Sequence, residues 1–306
     1  MSLTPAELQD RFTAAFLGMA VGDALGFPLR GVPPQSVRRL PGLAEDFAPR
    51  PRGRFAKGQF SDDTQLMLAA AESVALERKV DGRSFAAHVA WMWREGILLQ
   101  PPPALAEAAG RLARGVPWMA AGAPPGACDA SPISRALVVG LFETDALARL
   151  PHDAGVLAVV THQDPLCAAC AAAFARAISL GLEPGRRTPT QFCEAAALSA
   201  AAHDPRFAEE LRQLPRLLDW DEDRALELLR RVAVPPSALA EAQGLPAHPA
   251  PVLLCALYAA LRSRGDVRAA LVLALSQGGE ADAAAALTGA ILGAHLGTDA
   301  IPARLR

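Results

Sequence analysis

Apolar side chains recur at helical spacing along the chain, starting close to the N-terminus. Leu8, Phe12 and Phe16 each lie four residues apart, which gives the first segment one buried face. Thr4 and Glu7 form the pattern of a capping box ahead of that face. The pattern therefore predicts that a helix begins at this point.

The same periodicity predicts helices through the rest of the chain. They are expected at residues 63–79, 82–95, 104–114, 166–180, 205–214, 222–234, 249–262, 267–276 and 283–294. Ala-rich segments are common and alternating β-branched runs are few, which favours helices over a sheet. We therefore predict an all-α protein, a compact orthogonal helical bundle that forms a single domain over residues 1–306.

Two segments lack this periodicity and are predicted to be loops. Residues 28–57 contain six prolines and several arginines, and a loop of that length is usually functional or disordered. Its position between two polar motifs favours a lid or a substrate-binding loop. Residues 115–134 are rich in Gly, Ala and Pro and indicate a second loop.

Composition limits the classes of function. With 306 residues and 51% hydrophobic residues, the chain can bury a sizeable core, and a net charge of -2 gives no broad footprint for nucleic acid or an anionic membrane. The odd number of dispersed cysteines favours a reducing compartment. The CxxC pair Cys167 and Cys170 is either a zinc or redox motif or, as we expect, two buried small side chains. Without a leader or a long apolar span, we expect a cytoplasmic protein with no membrane partner.

The first candidate for chemistry is a pair of acids at a predicted helix start. Asp62 and Asp63 stand between Ser61 and Thr64, directly before an apolar helical run. The simplest interpretation is that Ser61 caps the helix and the acids complement its dipole, which is worth about 0.3 to 1 kcal/mol per charge. The alternative is that these oxygens bind a ligand.

A second acidic turn near the end of the chain supports the alternative. Glu280 and Asp282 follow two glycines and precede another small-residue helix. Inside a regular helix the two side chains would point to opposite sides, whereas an extended lead-in would place them on one side. Together with Asp62, Asp63 and the hydroxyls of Ser61 and Thr64, they would form an all-oxygen site of the kind that Mg²⁺ or Mn²⁺ prefers.

These motifs resemble those of the ADP-ribosylglycohydrolase family, which includes the hydrolases that remove ADP-ribose from modified dinitrogenase reductase. The matching segments occur in the family's order and span nearly the whole chain. They are residues 18–26 (GMAVGDALG), 61–64 (SDDT), 161–162 (TH) and 278–297. The resemblance implies an all-α fold with a metal cleft at helix N-termini.

The resemblance also implies an activity. The expected reaction is metal-dependent hydrolysis of the glycosidic bond between ADP-ribose, or a related ribosyl group, and a protein side chain or small molecule. Asp62 and Asp63 would be catalytic, with Asp63 positioning or deprotonating the water. Two Mg²⁺ or Mn²⁺ ions, or one, would be held by Ser61, Asp62, Asp63, Glu280 and Asp282. The alternative is a catalytically weak or inactive homologue that binds ADP-ribose-like ligands.

Further residues would contact or support the substrate, an ADP-ribose or ADP-ribosylated molecule. The family places a segment like that around Asp23 beside the metal site, although Asp23 could simply accept backbone hydrogen bonds. His162 would lie at the substrate cleft, or else be a structural histidine. Ser131 and Ser134 could donate hydrogen bonds to the ligand, and Gly279 would lie beside it.

The sequence departs from the family pattern in three places. Arg30 occupies a position that is commonly acidic; it could meet a substrate phosphate, or be a solvated side chain. The last acidic turn has Glu280 and Ala283 where the family has aspartate and threonine. The segment directly before Arg135, residues 129–134 (DASPIS), carries no asparagine or glycine, so close backbone approach to a diphosphate is harder there. The leaving group and the oligomeric state stay open.

Overall fold

A computed structural model describes residues 3–48 and 55–306, and it is all-α, as the sequence predicts. Sixteen α-helices lie within these ranges. They are α1 (Pro5–Gly26), α2 (Pro34–Val37), α3 (Asp62–Glu77), α4 (Gly82–Arg94), α5 (Pro103–Ala113), α6 (Trp118–Ala121), α7 (Ser131–Phe142), α8 (Leu150–Val159), α9 (Pro165–Leu182), α10 (Pro189–Ala200), α11 (Pro205–Leu217), α12 (Glu222–Leu229), α13 (Pro236–Glu241), α14 (Pro249–Arg262), α15 (Val267–Leu275) and α16 (Ala281–Leu296).

Both predicted loops contain short helices. The first includes a 3-10 turn, Phe27–Leu29, and helix α2, each with a proline in its first turn; its residues 49–54 lie outside the described residues. The second contains α6 and the first turn of α7, because Pro132 fits the start of a helix. The helix predicted at residues 222–234 ends instead at Leu229, and Ala233 beyond it has a φ of 57°.

Helices α1 and α16 pack against each other along most of their length, which joins the two ends of the chain. Glycines make this approach possible. A Cβ added at Gly22 would lie 2.1 Å from the carbonyl oxygen of Ala285, and one added at Gly18 would lie 2.2 Å from that of Gly289. The two backbones therefore touch where larger side chains would hold them apart. This contact brings Asp23 of α1 close to the start of α16.

Helix α9 lies in the centre of the hydrophobic core and packs on α7, α8 and α10. Cys167 and Cys170 on this helix are fully buried, as expected for small core side chains. By length and composition, Pro5–Leu29 and Pro165–Leu182 could each cross a membrane, but 72% and 83% of their apolar windows are buried inside the protein. Core helices have the same property, and the absence of a membrane partner stays a prediction.

Candidate active site

Asp62 and Asp63 open α3 at a capped N-terminus. The backbone N–H of Asp63 donates to Oγ of Ser61 at 3.2 Å, so Ser61 is the helix cap. Both acids are nevertheless buried. An acid that only complements a helix dipole can stay in water, where its charge costs nothing to solvate. Burial of the pair indicates a role beyond helix stability.

Asp23 ties the end of α1 to the start of α3. One of its oxygens, Oδ2, accepts from the backbone N–H of Ser61 at 2.9 Å and from the N–H and hydroxyl of Thr64 at 3.1 and 2.6 Å. Asp23 thus satisfies backbone donors and also positions the acidic turn, so both sequence interpretations describe it. Its other oxygen has no hydrogen-bond partner among the residues described. Burial, and next the charge of Asp282, raise the pKa of Asp23 to about 6.

Asp282 lies in the first turn of α16 and is fully buried, while Glu280 precedes that helix and is only partly buried. The extended lead-in that the sequence suggested is wrong, because Gly278 and Gly279 have left-handed φ values of 58° and 59° and the helix begins at Ala281. Gly279, with a φ of 59°, accepts a hydrogen bond from Gly31 at 2.9 Å and donates one to Val32 at 3.0 Å. A contact between Gly279 and a substrate stays a prediction.

Arg30 lies partly buried among the acidic residues, and the alternative of a solvated side chain is wrong. Its Nε donates to Oδ2 of Asp282, and its Nη2 lies 3.1 Å from Oδ1 of Asp62 and 4.0 Å from Oδ2 of Asp63. The guanidinium therefore joins acids from opposite ends of the chain. In this arrangement it contacts carboxylates, and its contact with a substrate phosphate stays a prediction.

Several buried carboxyl groups surround the single guanidinium of Arg30, and their pKa values are raised. Burial raises the pKa of Asp62 to about 7 and that of Glu280 to about 8, and raises that of Asp63 well above its usual range. Arg30 opposes these shifts without cancelling them. Burial also works against the charge of Arg30, but Asp282 and the other carboxylates outweigh it and raise the pKa of Arg30. The cluster therefore attracts positive charge or protons.

The arrangement does not fit a divalent ion at the predicted position. Within residues 3–48 and 55–306, no three His, Cys, Asp or Glu side chains are placed so that they could hold a metal ion. The guanidinium of Arg30 already occupies one oxygen of Asp62 and one of Asp282. The hydroxyl of Thr64 donates to Asp23. Magnesium needs about six oxygens near 2.0 to 2.1 Å, and these oxygens are not free to provide them.

A second buried polar cluster lies at the start of α7. Nε2 of His162 is 3.0 Å from Oδ2 of Asp129, and Nδ1 of the same ring is 2.9 Å from Oγ1 of Thr161. That hydroxyl also accepts from Nη2 of Arg135, whose guanidinium lies 5.1 Å from the centre of the Phe85 ring. Although burial opposes the charge, His162 lowers the pKa of Asp129. Each ring nitrogen of His162 therefore has a polar neighbour in this cluster.

Ser131 and Ser134 both lie in the first turn of α7, and only one keeps a free hydroxyl. Oγ of Ser134 donates to the carbonyl oxygen of Ser131 at 3.1 Å. Oγ of Ser131 is buried and has no hydrogen-bond partner within the described part of the chain. Burial lowers the pKa of Arg135 and the charge of Asp63 is among those that oppose this shift, while the charge of Asp129 adds to the raised pKa of Glu280. The cluster around His162 and the cluster around Arg30 are therefore neighbours.

Sequence reasoning missed Asp129 and Arg135. Arg135 carries the one charge in α7, an otherwise apolar helix, and that pattern could have indicated a buried cation. Asp129 precedes the helix by two residues. Its Oδ1 accepts a hydrogen bond from the backbone N–H of Ser131 at 2.9 Å, which is typical of a turn. Nothing local links it to His162, which lies on a different segment of the chain.

Comparison with known proteins identifies the family. The model of the ADP-ribosylglycohydrolase family matches residues 4–306. The chain belongs to the ADP-ribosylglycohydrolase family. An uncharacterized protein of Archaeoglobus fulgidus is 30% identical over 287 residues, which cover 94% of this chain and 88% of that protein. ADP-ribosylhydrolase ARH3 of Danio rerio is 26% identical over 346 aligned positions, covering 98% of this chain and 86% of the relative.

A solved structure supports the same conclusion. The structure titled ADP-ribosylglycohydrolase-related protein complex is similar to this chain with a TM-score of 0.75 and 25% identity, covering 98% of this chain and 92% of the other. The expected ADP-ribosylglycohydrolase fold is thus confirmed. Membership of the ADP-ribosylglycohydrolase family supports hydrolysis of ADP-ribose linkages as the class of reaction.

Proposed function

We propose that this protein hydrolyses the glycosidic bond between ADP-ribose, or a related ribosyl group, and a modified protein side chain or a small molecule. The observation that carries the proposal is the convergence of Asp62, Asp63 and Asp282 in one buried cluster around Arg30. Family membership supports the reaction class.

The charge of the cluster suits this reaction. Cleavage at the anomeric carbon of a ribosyl group builds up positive charge in an oxocarbenium-like transition state. Five carboxyl groups, those of Asp23, Asp62, Asp63, Glu280 and Asp282, influence one another here against a single guanidinium. Those carboxyl groups that are ionised would stabilise the positively charged transition state more than they stabilise the neutral substrate sugar.

Two of these acids can divide the proton transfers. Burial raises the pKa of Asp63 well above its usual range, which favours its protonated form, so we assign it to donate a proton to the leaving atom instead of the water-activating role expected from the sequence. Asp62, whose pKa is raised to about 7 and which lies closer to Arg30, can accept a proton from the attacking water. Such a division of roles between two carboxyl groups is common in glycoside hydrolysis.

Polar atoms that the protein does not use internally would bind the substrate. Oδ1 of Asp282 and Oγ of Ser131 are buried and lack hydrogen-bond partners among the described residues. We assign Asp282 to a ribose hydroxyl and Ser131 to the ribose or diphosphate beyond it. His162 would support the α7 side of the cleft through Asp129, whereas Ser134, which is bonded within its own turn, would act indirectly.

These residue roles do not involve a metal ion, because the carboxylates as arranged do not fit one. The Mg²⁺ or Mn²⁺ expected from the sequence stays a prediction. When bound, a divalent ion would bind ribose hydroxyls and orient a water.

The test of the function is release of free ADP-ribose from arginine-, serine- and nucleotide-linked conjugates. Asp63→Asn should abolish release while the protein stays folded, because the substituted side chain can no longer carry the proton. Asp223→Asn is the matched control, since Asp223 also lies in the first turn of a helix but is exposed. Equal turnover by wild type and Asp63→Asn would contradict the proposal.

One observation favours a second candidate, a homologue that binds ADP-ribose-like ligands without efficient turnover. Arg30 neutralises part of the charge that catalysis would use, because it pairs with both Asp62 and Asp282. This candidate predicts calorimetric binding of ADP-ribose together with no release from any of the three conjugates.

A further inference from the structure

The guanidinium of Arg30 uses each of its nitrogens inside the site. Nε donates to Asp282, Nη2 pairs with Asp62 and lies 4.0 Å from Asp63, and Nη1 donates to the carbonyl oxygen of Gln100 at 3.2 Å. Its carbon Cζ lies 5.5 Å from the centre of the Phe27 ring. A planar fork with donors in fixed directions suits several carboxylates at once.

The backbone holds Arg30 in this place independently of its rotamer. The next two residues pair with the turn that leads into α16, through the hydrogen bonds of Gly31 and Val32 with Gly279. The turn fits closely, since a Cβ added at Gly278 would lie 2.2 Å from the carbonyl oxygen of Val32. Arg30 therefore enters the cluster from a segment that is fixed to the start of the helix carrying Asp282.

The guanidinium of Arg30 compensates the charge of the buried carboxylates around it. The side chains of Asp62, Asp63 and Asp282 are only 2%, 6% and 0% exposed, and that of Arg30 is 16% exposed. Buried carboxylates are costly unless a cation compensates them. In the described part of the chain, the ion pairs of these three acids are all with Arg30. The cation that the cluster needs is thus supplied by the protein itself.

We propose that the guanidinium of Arg30 is the resident cation of this carboxylate cluster and that a divalent metal ion must displace it to bind. Oδ1 of Asp62 and Oδ2 of Asp282 hold the guanidinium, and both would be needed as metal ligands. A guanidinium and a divalent ion also repel each other at such short range. The protein therefore folds without magnesium or manganese. This inference concerns the cation of the site and does not require turnover.

The experiment measures cation binding in the wild type, Arg30→Gln and Arg30→Lys. Mn²⁺ binding is followed by calorimetry and by the paramagnetic resonance of free Mn²⁺, and melting temperatures are recorded with EDTA and with Mg²⁺. Arg38→Gln is the matched control, because Arg38 directly follows α2 and forms an exposed ion pair with Asp223. None of these readouts depends on catalysis, so a failed activity assay and a failed cation assay are separate results.

We expect the wild type and Arg38→Gln to melt at the same temperature with EDTA and with Mg²⁺. Arg30→Gln should melt lower in EDTA, regain stability with Mg²⁺ or Mn²⁺, and bind Mn²⁺ at least about tenfold more tightly than the wild type. Arg30→Lys, which keeps the charge, should bind Mn²⁺ as weakly as the wild type. If Arg30→Gln does not fold, tight Mn²⁺ binding by the wild type still overturns the proposal. Unchanged or weaker Mn²⁺ binding by folded Arg30→Gln overturns it as well.

Discussion

Gly26, the last residue of α1, lies directly against Asp282 at the start of α16. A Cβ added at Gly26 would come within 2.3 Å of the Cα of Asp282 and 2.7 Å of its backbone nitrogen. Gly26 has a φ of -82°, so this close approach, not an unusual backbone conformation, is what requires glycine. The site depends on the contact because Asp23 belongs to one helix and Asp282 to the other.

Gly26→Ala should therefore destabilise the protein and disturb the site. The added methyl group meets backbone atoms that cannot rotate away, so we expect a loss of about 3 kcal/mol in the free energy of unfolding, measured by urea titration. Gly110→Ala is the control, because Gly110 lies within helix α5 and an added Cβ there has only ordinary contacts. The control should be neutral or more stable by up to about 1 kcal/mol. Equal stability of both variants would contradict the argument.

The sequence predicted the parts of this site that follow local rules. Ser61 and the two acids after it form a recognisable helix start, and their meeting with Asp282 was inferred from the order of motifs. The fold class followed from helical periodicity. These features could be predicted because capping and amphipathic patterns are set by neighbouring residues.

The position of Arg30 could not be predicted in the same way. Its segment has no periodicity, so the positive charge of the side chain could be predicted but its direction could not. The backbone hydrogen bonds of Gly31 and Val32 with Gly279 bring Arg30 to the acids, and they join segments that are far apart in the chain. The contact of Asp129 with His162 was missed for the same reason, since a long-range pair leaves no local pattern.

Asp23 should stabilise the fold mainly as a hydrogen-bond acceptor, and its negative charge should contribute less to the free energy of unfolding. Asp23→Ala leaves three donors of Ser61 and Thr64 without a partner and should cost about 3 kcal/mol in the free energy of unfolding. Asp23→Asn keeps one acceptor oxygen and should cost about 1 kcal/mol. Asp81→Ala removes an ordinary helix cap on α4 and should also cost about 1 kcal/mol. Denaturant unfolding of the three variants decides the point, and equal losses for both Asp23 variants would show that charge matters instead.

Asp62 should make the stability of the protein depend on pH. Burial raises its pKa from 3.8 to about 7 in the folded state, so the folded state holds this proton more tightly than the unfolded chain. The stabilising contribution is complete below about pH 4 and is lost as pH rises through about 7. In EDTA, the free energy of unfolding should therefore fall from about pH 5 to about pH 8, and it should fall less in Asp62→Asn. Asp223→Asn, an exposed acid, should follow the wild type; an identical slope for Asp62→Asn would contradict the prediction.

Cys128 should be the reactive thiol among the five cysteines. It is partly exposed, whereas the other four are buried. Hydrogen bonding with Cys167, and next with His248, lowers the pKa of Cys128 to about 6, while burial raises the pKa of Cys170, Cys193 and Cys255. With this pKa, the thiolate of Cys128 should be largely formed at neutral pH, and the thiolate is the nucleophilic form of a cysteine.

Iodoacetamide should accordingly modify the native protein once, at Cys128. The rate should reach half its maximum near about pH 6 and stay level above about pH 7, because ionisation is then complete. Mass spectrometry of the labelled peptides gives the site, and Cys128→Ser is the control that should remain unmodified. His248→Ala should shift the midpoint to higher pH, since one hydrogen bond to the thiolate is lost. A rate that continues to rise up to about pH 9, as for an ordinary thiol, would show that these neighbours do not activate Cys128.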